Sequence, residues 1–293
     1  MRIVSLVPSA TEIAFALGLG DDVVGVTFEC DFPPDPRVGR AIVVGGLDTH
    51  GLDAAAIDAL VRQQLAEGAL LYTLDADLFR SLEADVVLTQ DLCRVCALPS
   101  DQLDDAMAQL GCRADVVTLD PHTVDEVLAT IASVGAATGT DEIASALIAS
   151  LRVRLDRVRA AVAGRERPRV FVLEWPDPPF VAGHWVPELV DLAGGEAVLA
   201  VPGGRSVPTT WADVAAAEPD VVVVSSCGFD VDGSATHAEA ALSHLPPDVP
   251  VWAIDANGLM VRPGPRIVDG VETLAAMLHG IGEIETGRAR RVR

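Results

Sequence analysis

Two rhythms of apolar residues alternate along the first half of the chain. Short apolar runs at 2–7, 23–27, 85–89 and 115–119 have the length and β-branched content of buried strands. Between them, apolar residues recur every three or four positions over 52–67, 78–82 and 101–110, which predicts helices. The opening is the sharpest case. After the first strand, Ser9 stands as a predicted N-cap with Glu12 three residues on, the spacing of a capping box. The helix then runs through Phe15 and Leu17 and stops at Gly18 or Gly20. Residues 28–37, with Cys30, Asp31 and three prolines, read as a loop. Strands alternating with helices predict a doubly wound lobe with a mostly parallel sheet.

The rhythm changes in the middle. Residues 123–137 predict one helix, and 141–163 predict a longer one without proline. Its apolar stripe is Ile143, Leu147, Ile148, Leu151, Leu155 and Val158. A second α/β set follows. Strands are predicted at 169–174, 220–225 and 251–254, and helices at 186–193, 210–217, 238–242 and 268–279, with 175–185 and 226–233 as loops. The expected fold is therefore α/β, with two Rossmann-like lobes at 1–138 and 167–293. A long connecting helix at 139–166 acts as a rigid spine between them.

Charge narrows the class. The 293 residues carry a formal net charge of −22, and every one of the 21 basic residues is arginine. That balance opposes binding to nucleic acid or to an anionic membrane. The arginines at 288, 290, 291 and 293 read as a frayed, solvated tail. No run is long enough to span a membrane. Residues 1–19 are apolar but broken by Pro8, Ser9, Thr11 and Glu12, so they read as a first strand and helix rather than a signal peptide. Five scattered cysteines do not make a disulfide framework. On these grounds the expected location is the cytoplasm.

Candidate chemistry lies in the loops after the strands, because open α/β sheets bind ligands beyond the carboxyl ends of their strands. If the two lobes face each other, those loops converge on one cleft. They hold Ser9, Cys30, Gln90, Cys93, Trp175, Phe180, His184, Trp185, Cys227, Phe229 and Arg262. Large flat side chains at 175, 180 and 185 suit a large, flat, amphipathic ligand, or pack the lobe's own edge. His184 is a candidate axial ligand to a bound metal, or a hydrogen-bonded imidazole with no such role. Cys93 and Cys96 have CxxC spacing, but no second pair completes a zinc site. They either shape a loop or form a redox pair. Without lysine there is no phosphate-binding GxxxxGK motif, no GxSxG elbow occurs, and no acid–base pair stands out. The chain reads as a binding protein rather than an enzyme.

Five segments carry a family resemblance. RIVSLVPSATEIAFALGLGDDVVG (2–25) resembles the opening of the substrate-binding proteins for cobalamin and iron siderophores. TQDLCRVCALPS (89–100), EWPDPPFVAGHWVPELVDLAGG (174–195), PDVVVVSSCGFD (219–230) and RPGPRIVDGVETLA (262–275) resemble the cobalamin-binding branch of the class III periplasmic-type ABC transporter substrate-binding proteins. The resemblance covers nearly the whole chain. It implies cobalamin held in the cleft between lobes, with contacts from Ser9, Cys30, Cys93, Trp175, His184, Trp185, Phe229 and Arg262. Transport members present one Glu near a helix start in each lobe to dock on the permease. Here those positions align with Asp77 and Ala212, so docking is expected to be weak, and an intracellular carrier or sensor is expected instead. Three other readings remain open: the binding component of a B12 importer, a heme or ferric-siderophore binder, and a corrinoid-modifying enzyme using Cys93 and Cys96.

Overall fold

The computed structural model describes residues 1–90 and 114–293. The predicted helix at 101–110 and the Cys93–Cys96 pair lie outside the described residues. The chain divides into two compact α/β units. The first comprises 1–52, 59–121 and 125–149, and the second 53–58, 122–124 and 150–293.

In the first unit the strands are β1 (Ile3–Ser5), β2 (Val23–Thr27), β3 (Ala41–Gly46), β4 (Tyr72–Leu74), β5 (Val86–Gln90) and β6 (Asp115–Leu119). They form one sheet in the order β4-β3-β2-β1-β5-β6. All neighbours are parallel except β4, which runs antiparallel to β3. The helices are α1 (Pro8–Ala16), α2 (Ala54–Ala66), α3 (Ala76–Ser81) and α4 (Val124–Thr138). α1 begins two residues earlier than the capping-box reading requires. Val7 is the N-cap, and Pro8 takes the first helical position, where its missing N–H costs nothing. Ser9 therefore sits inside the helix, buried, and makes no cap bond.

A long helix, α5 (Asp141–Val162), carries the chain onward. Its expected stripe is realised at Leu151, Leu155 and Val158, which are buried, while Ile143 is exposed. Arg154 on this helix is bound by Asp269 and by Glu272 (Nε to Oε1, 2.9 Å).

The second unit has β7 (Arg169–Pro176), β8 (Pro179–Val181), β9 (Glu196–Ala197), β10 (Val207–Pro208), β11 (Val221–Val224), β12 (Val251–Ile254) and β13 (Ala289–Arg291). The order is β10-β8-β7-β11-β12-β13, with β9 pairing β7. The central trio β7, β11 and β12 is parallel and buried. Its helices are α6 (Val186–Leu192), α7 (Trp211–Ala216), α8 (Val231–Ala241), α9 (Ala256–Leu259) and α10 (Ile267–His279).

Three expectations change here. The predicted loop at 175–185 is largely a hairpin, because β7 extends through Pro176 and β8 returns antiparallel along it. The short helix expected at 238–242 is the end of α8, which starts at Val231 under the Asp230 cap. The arginine tail is not frayed. β13 pairs antiparallel with β12, and Arg293 donates to the carbonyls of Pro246 (2.6 Å) and Val249 (3.1 Å).

Candidate functional site

Each sheet reverses its direction of winding once, and side chains gather at that point. In the first unit the reversal lies between β1 and β5. The first turn of α1, just after β1, holds Ser9, and Gln90 ends β5; both are buried. Thr11 Oγ1 donates to Ser5 Oγ (2.8 Å) and lies 3.1 Å from Cys30 Sγ. Cys30 is 1% exposed, so its thiol packs this turn instead of facing a ligand. Tyr72 donates to Glu29 (3.3 Å), and the Tyr72 ring lies 6.4 Å from Phe28.

In the second unit the reversal lies between β7 and β11. Trp175 stands near the end of β7, and Phe180 is its register partner on β8, so both side chains rise from one face of the hairpin. Phe229 leaves the loop after β11. Its ring lies 6.0 Å from Trp175. Gly233 makes this possible, since a Cβ there would sit 2.5 Å from the Phe229 ring.

His237 completes the group. It lies 4.6 Å from Phe229 at 65° and 5.6 Å from Trp175 at 70°, edge-to-face in both cases. Its Nδ1 is 2.9 Å from Ser226 Oγ. Ser234 is three residues earlier on the same face of α8, and its hydroxyl accepts from Ser226 N (3.4 Å). The loop after β11 is thus bound to α8 twice. Burial pushes the His237 pKa below the ordinary imidazole value, so the ring is neutral at pH 7. Trp175 Nε1 donates to the Ala54 carbonyl (3.2 Å), which fixes the indole plane.

A charged group stands at the end of β12. Asp255 caps α9 by accepting from Gly258 N (3.0 Å). Burial raises its pKa, against the opposing pull of that N–H and of Arg266 and Arg262. Asn257 N donates to the Phe229 carbonyl (3.2 Å), which links this turn to the aromatic group.

The structure brings Trp175, Phe180, Cys227 and Phe229 to one end of the second sheet, with Arg262 beside the turn that joins them. His184 and Trp185 follow the hairpin. Ala182 N donates to Val172 O, three residues back along β7 from Trp175, so Ala182 lies about 10 Å from Trp175 along the strand. The His184 ring stacks on Trp185 (5.7 Å) and lies 5.8 Å from His122. Trp185 is 2% exposed and donates to the Met260 carbonyl (2.7 Å), so it is core. Cys93 lies outside the described residues. Sequence reasoning missed His237 and Ser226. The available signal was a histidine seven residues after a helix-capping Asp230, on a helix whose start was set too late.

At the docking positions, Asp77 lies in the first turn of α3 with its side chain almost fully exposed. Ala212 lies in the first turn of α7, but the next residue, Asp213, supplies a carboxylate there. Asp213 Oδ2 accepts from Thr210 Oγ1 (2.7 Å).

The chain matches the family model described as periplasmic binding protein over residues 86–253. It is 28% identical over 280 residues to the vitamin B12-binding protein of Vibrio cholerae, covering 94% of this chain and 88% of that protein. It is 26% identical over 289 residues to the uncharacterized ABC transporter substrate-binding lipoprotein YvrC of Bacillus subtilis, covering 95% and 80%. The crystal structure of the periplasmic vitamin B12 binding protein BtuF of Vibrio cholerae matches with a TM-score of 0.67 at 25% identity, over 94% of this chain and 95% of that one. The periplasmic heme-binding protein BhuT, in complex with two hemes, matches with a TM-score of 0.67 at 25% identity, over 94% and 96%. These findings overturn the cytoplasmic location and the intracellular carrier or sensor. The relatives are periplasmic proteins or a lipoprotein. A first strand and helix at residues 1–19 describe what that segment does in the fold, not its compartment. The match across residues 86–253, more than half of the chain, shows that it belongs to the periplasmic binding protein family.

Proposed function

We propose that this chain is the corrinoid-binding component of an ABC importer, and that it hands over cobalamin chemically unchanged. The observation that carries this reading is the Trp175–Phe229–His237 group at the point where the second sheet reverses its winding. Aromatic faces there suit a broad, flat, amphipathic macrocycle. The names of relatives aligned over nearly the full chain support cobalamin. The net charge of −22 disfavours anionic ferric siderophores. The exposed carboxylates of Asp77 and Asp213 support docking on a basic permease surface, in place of the weak docking expected from Ala212. Heme is the second reading, supported by the heme-bound neighbour and by the same aromatic group.

The test is a titration of the purified chain with hydroxocobalamin, cyanocobalamin and hemin, followed by desalting. Retention of about one corrinoid per chain, with hemin washing through, is the expected result. Retained hemin with no retained corrinoid transfers the proposal to heme. Trp175→Ala is expected to weaken corrinoid binding about 10-fold or more, the loss of one aromatic anchor.

A further inference from the structure

We infer that His237 is the side chain this protein offers to the metal of its bound macrocycle, with Ser226 as the residue that positions it. The inference rests on the corrinoid reading above. It names His237 in place of His184.

Two observations support it. First, His237 packs edge-to-face against two aromatic rings, Phe229 at 4.6 Å and Trp175 at 5.6 Å, in a triangle whose third side, Trp175–Phe229, is 6.0 Å. Those rings are the natural resting surface for a flat ligand, so an imidazole among them is within reach of the ligand's centre. Second, Nδ1 is engaged by Ser226 Oγ at 2.9 Å. When Nδ1–H donates to that oxygen, the Nε2 lone pair on the far side of the ring is left to bind metal. A hydrogen bond on the other ring nitrogen is the general device that fixes the tautomer and orientation of a metal-binding histidine. Ser226 is itself fixed, because its main-chain N–H is bound by Ser234 from the same face of α8.

The step balances without redox change. Nε2 replaces the exchangeable water on cobalt(III), and that water leaves. Cyanocobalamin has cyanide in that position and offers no such exchange. The protein therefore discriminates between corrinoids by their upper ligand, binding the aquo form more tightly than the cyano form.

Visible spectra of wild type, His237→Ala, Ser226→Ala and His184→Ala, each titrated with hydroxocobalamin and with cyanocobalamin, test this. The expected result is a band shift on binding hydroxocobalamin but not cyanocobalamin. His237→Ala abolishes the shift, and a wild-type circular-dichroism spectrum and melt show that the variant is folded. Ser226→Ala keeps the imidazole, and its affinity for hydroxocobalamin falls about 10-fold more than its affinity for cyanocobalamin. His184→Ala behaves as wild type. Stoichiometric binding by wild type without a band shift overturns the inference and leaves the corrinoid reading standing. So does a shift that survives in His237→Ala, or an unchanged hydroxocobalamin affinity in Ser226→Ala. If wild type retains neither corrinoid, the corrinoid reading fails and this inference falls with it.

Discussion

Asp255 illustrates how one side chain serves the fold at a cost. Its carboxylate caps α9 through Gly258 N, yet burial raises its pKa despite Arg266 and Arg262 nearby. A raised carboxyl pKa means that the folded state holds the proton more tightly than the unfolded state. The group therefore lowers stability as pH rises from the unfolded value near 3.8 through the higher folded value, and the penalty is complete once pH lies above that folded value. Asp255→Asn keeps an oxygen to accept the Gly258 N–H and removes the buried charge. Thermal melts should show the variant at least as stable as wild type at pH 7 and without advantage at pH 3. A variant less stable at pH 7 would mean that the arginines outweigh the burial. The same scale shows what could be read from sequence. Trp175 and Phe229 were legible because each follows an apolar run, where an open sheet exposes its ligand loops. His237 was not, because its role depends on a serine eleven residues away across a loop. Cys30 and Trp185 looked available in sequence but are buried, since a loop position does not say which way a side chain turns.

Elements with strong apolar runs were legible within a residue or two; β2 and β12 fall where the pattern predicts them. The misses have local causes. β3 ends in Gly45-Gly46, which reads as a turn, but Gly46 is required there because a Cβ would sit 2.5 Å from the Phe28 ring. β4 is only three residues long, with no room for a period to show. β13 was masked by its charges. Its arginines are polar at their tips, while its backbone completes the ladder to β12 and Ala289 is buried. Removing 288–293 would delete the Asp255 N to Arg288 O and Val292 N to Val251 O bonds, both 2.8 Å, and uncover an edge of the sheet. Net hydrogen-bond values for these two bonds imply a loss of about 1–3 kcal/mol. That should lower the melting temperature by at least about 2 °C. An unchanged melt would restore the frayed tail.

Across the whole molecule, charge is the property that composition fixed and the fold does not relieve. With 43 acidic and 21 basic residues, many carboxylates have no arginine to pair with. Their mutual repulsion falls mostly on exposed groups, which salt screens readily; the Debye length drops from about 10 Å at 0.1 M to about 3 Å at 1 M. Attractive pairs lose too, but the strongest described group, Arg154 with Asp269 and Glu272, is partly buried and screened less. Repulsion should therefore weaken faster than attraction. The melting temperature should rise as NaCl increases from about 10 mM to 0.5 M, and NaCl separates this effect from the general stabilisation given by sulfate. The opposite slope would show that arginine pairs dominate the balance. A rising slope also bears on the proposed importer role. In that role, a protein this acidic would meet a permease on a basic surface, so the salt that stabilises the free chain should slow docking. Stability and association rate moving in opposite directions along one salt series would mark the same carboxylates as the cause of both.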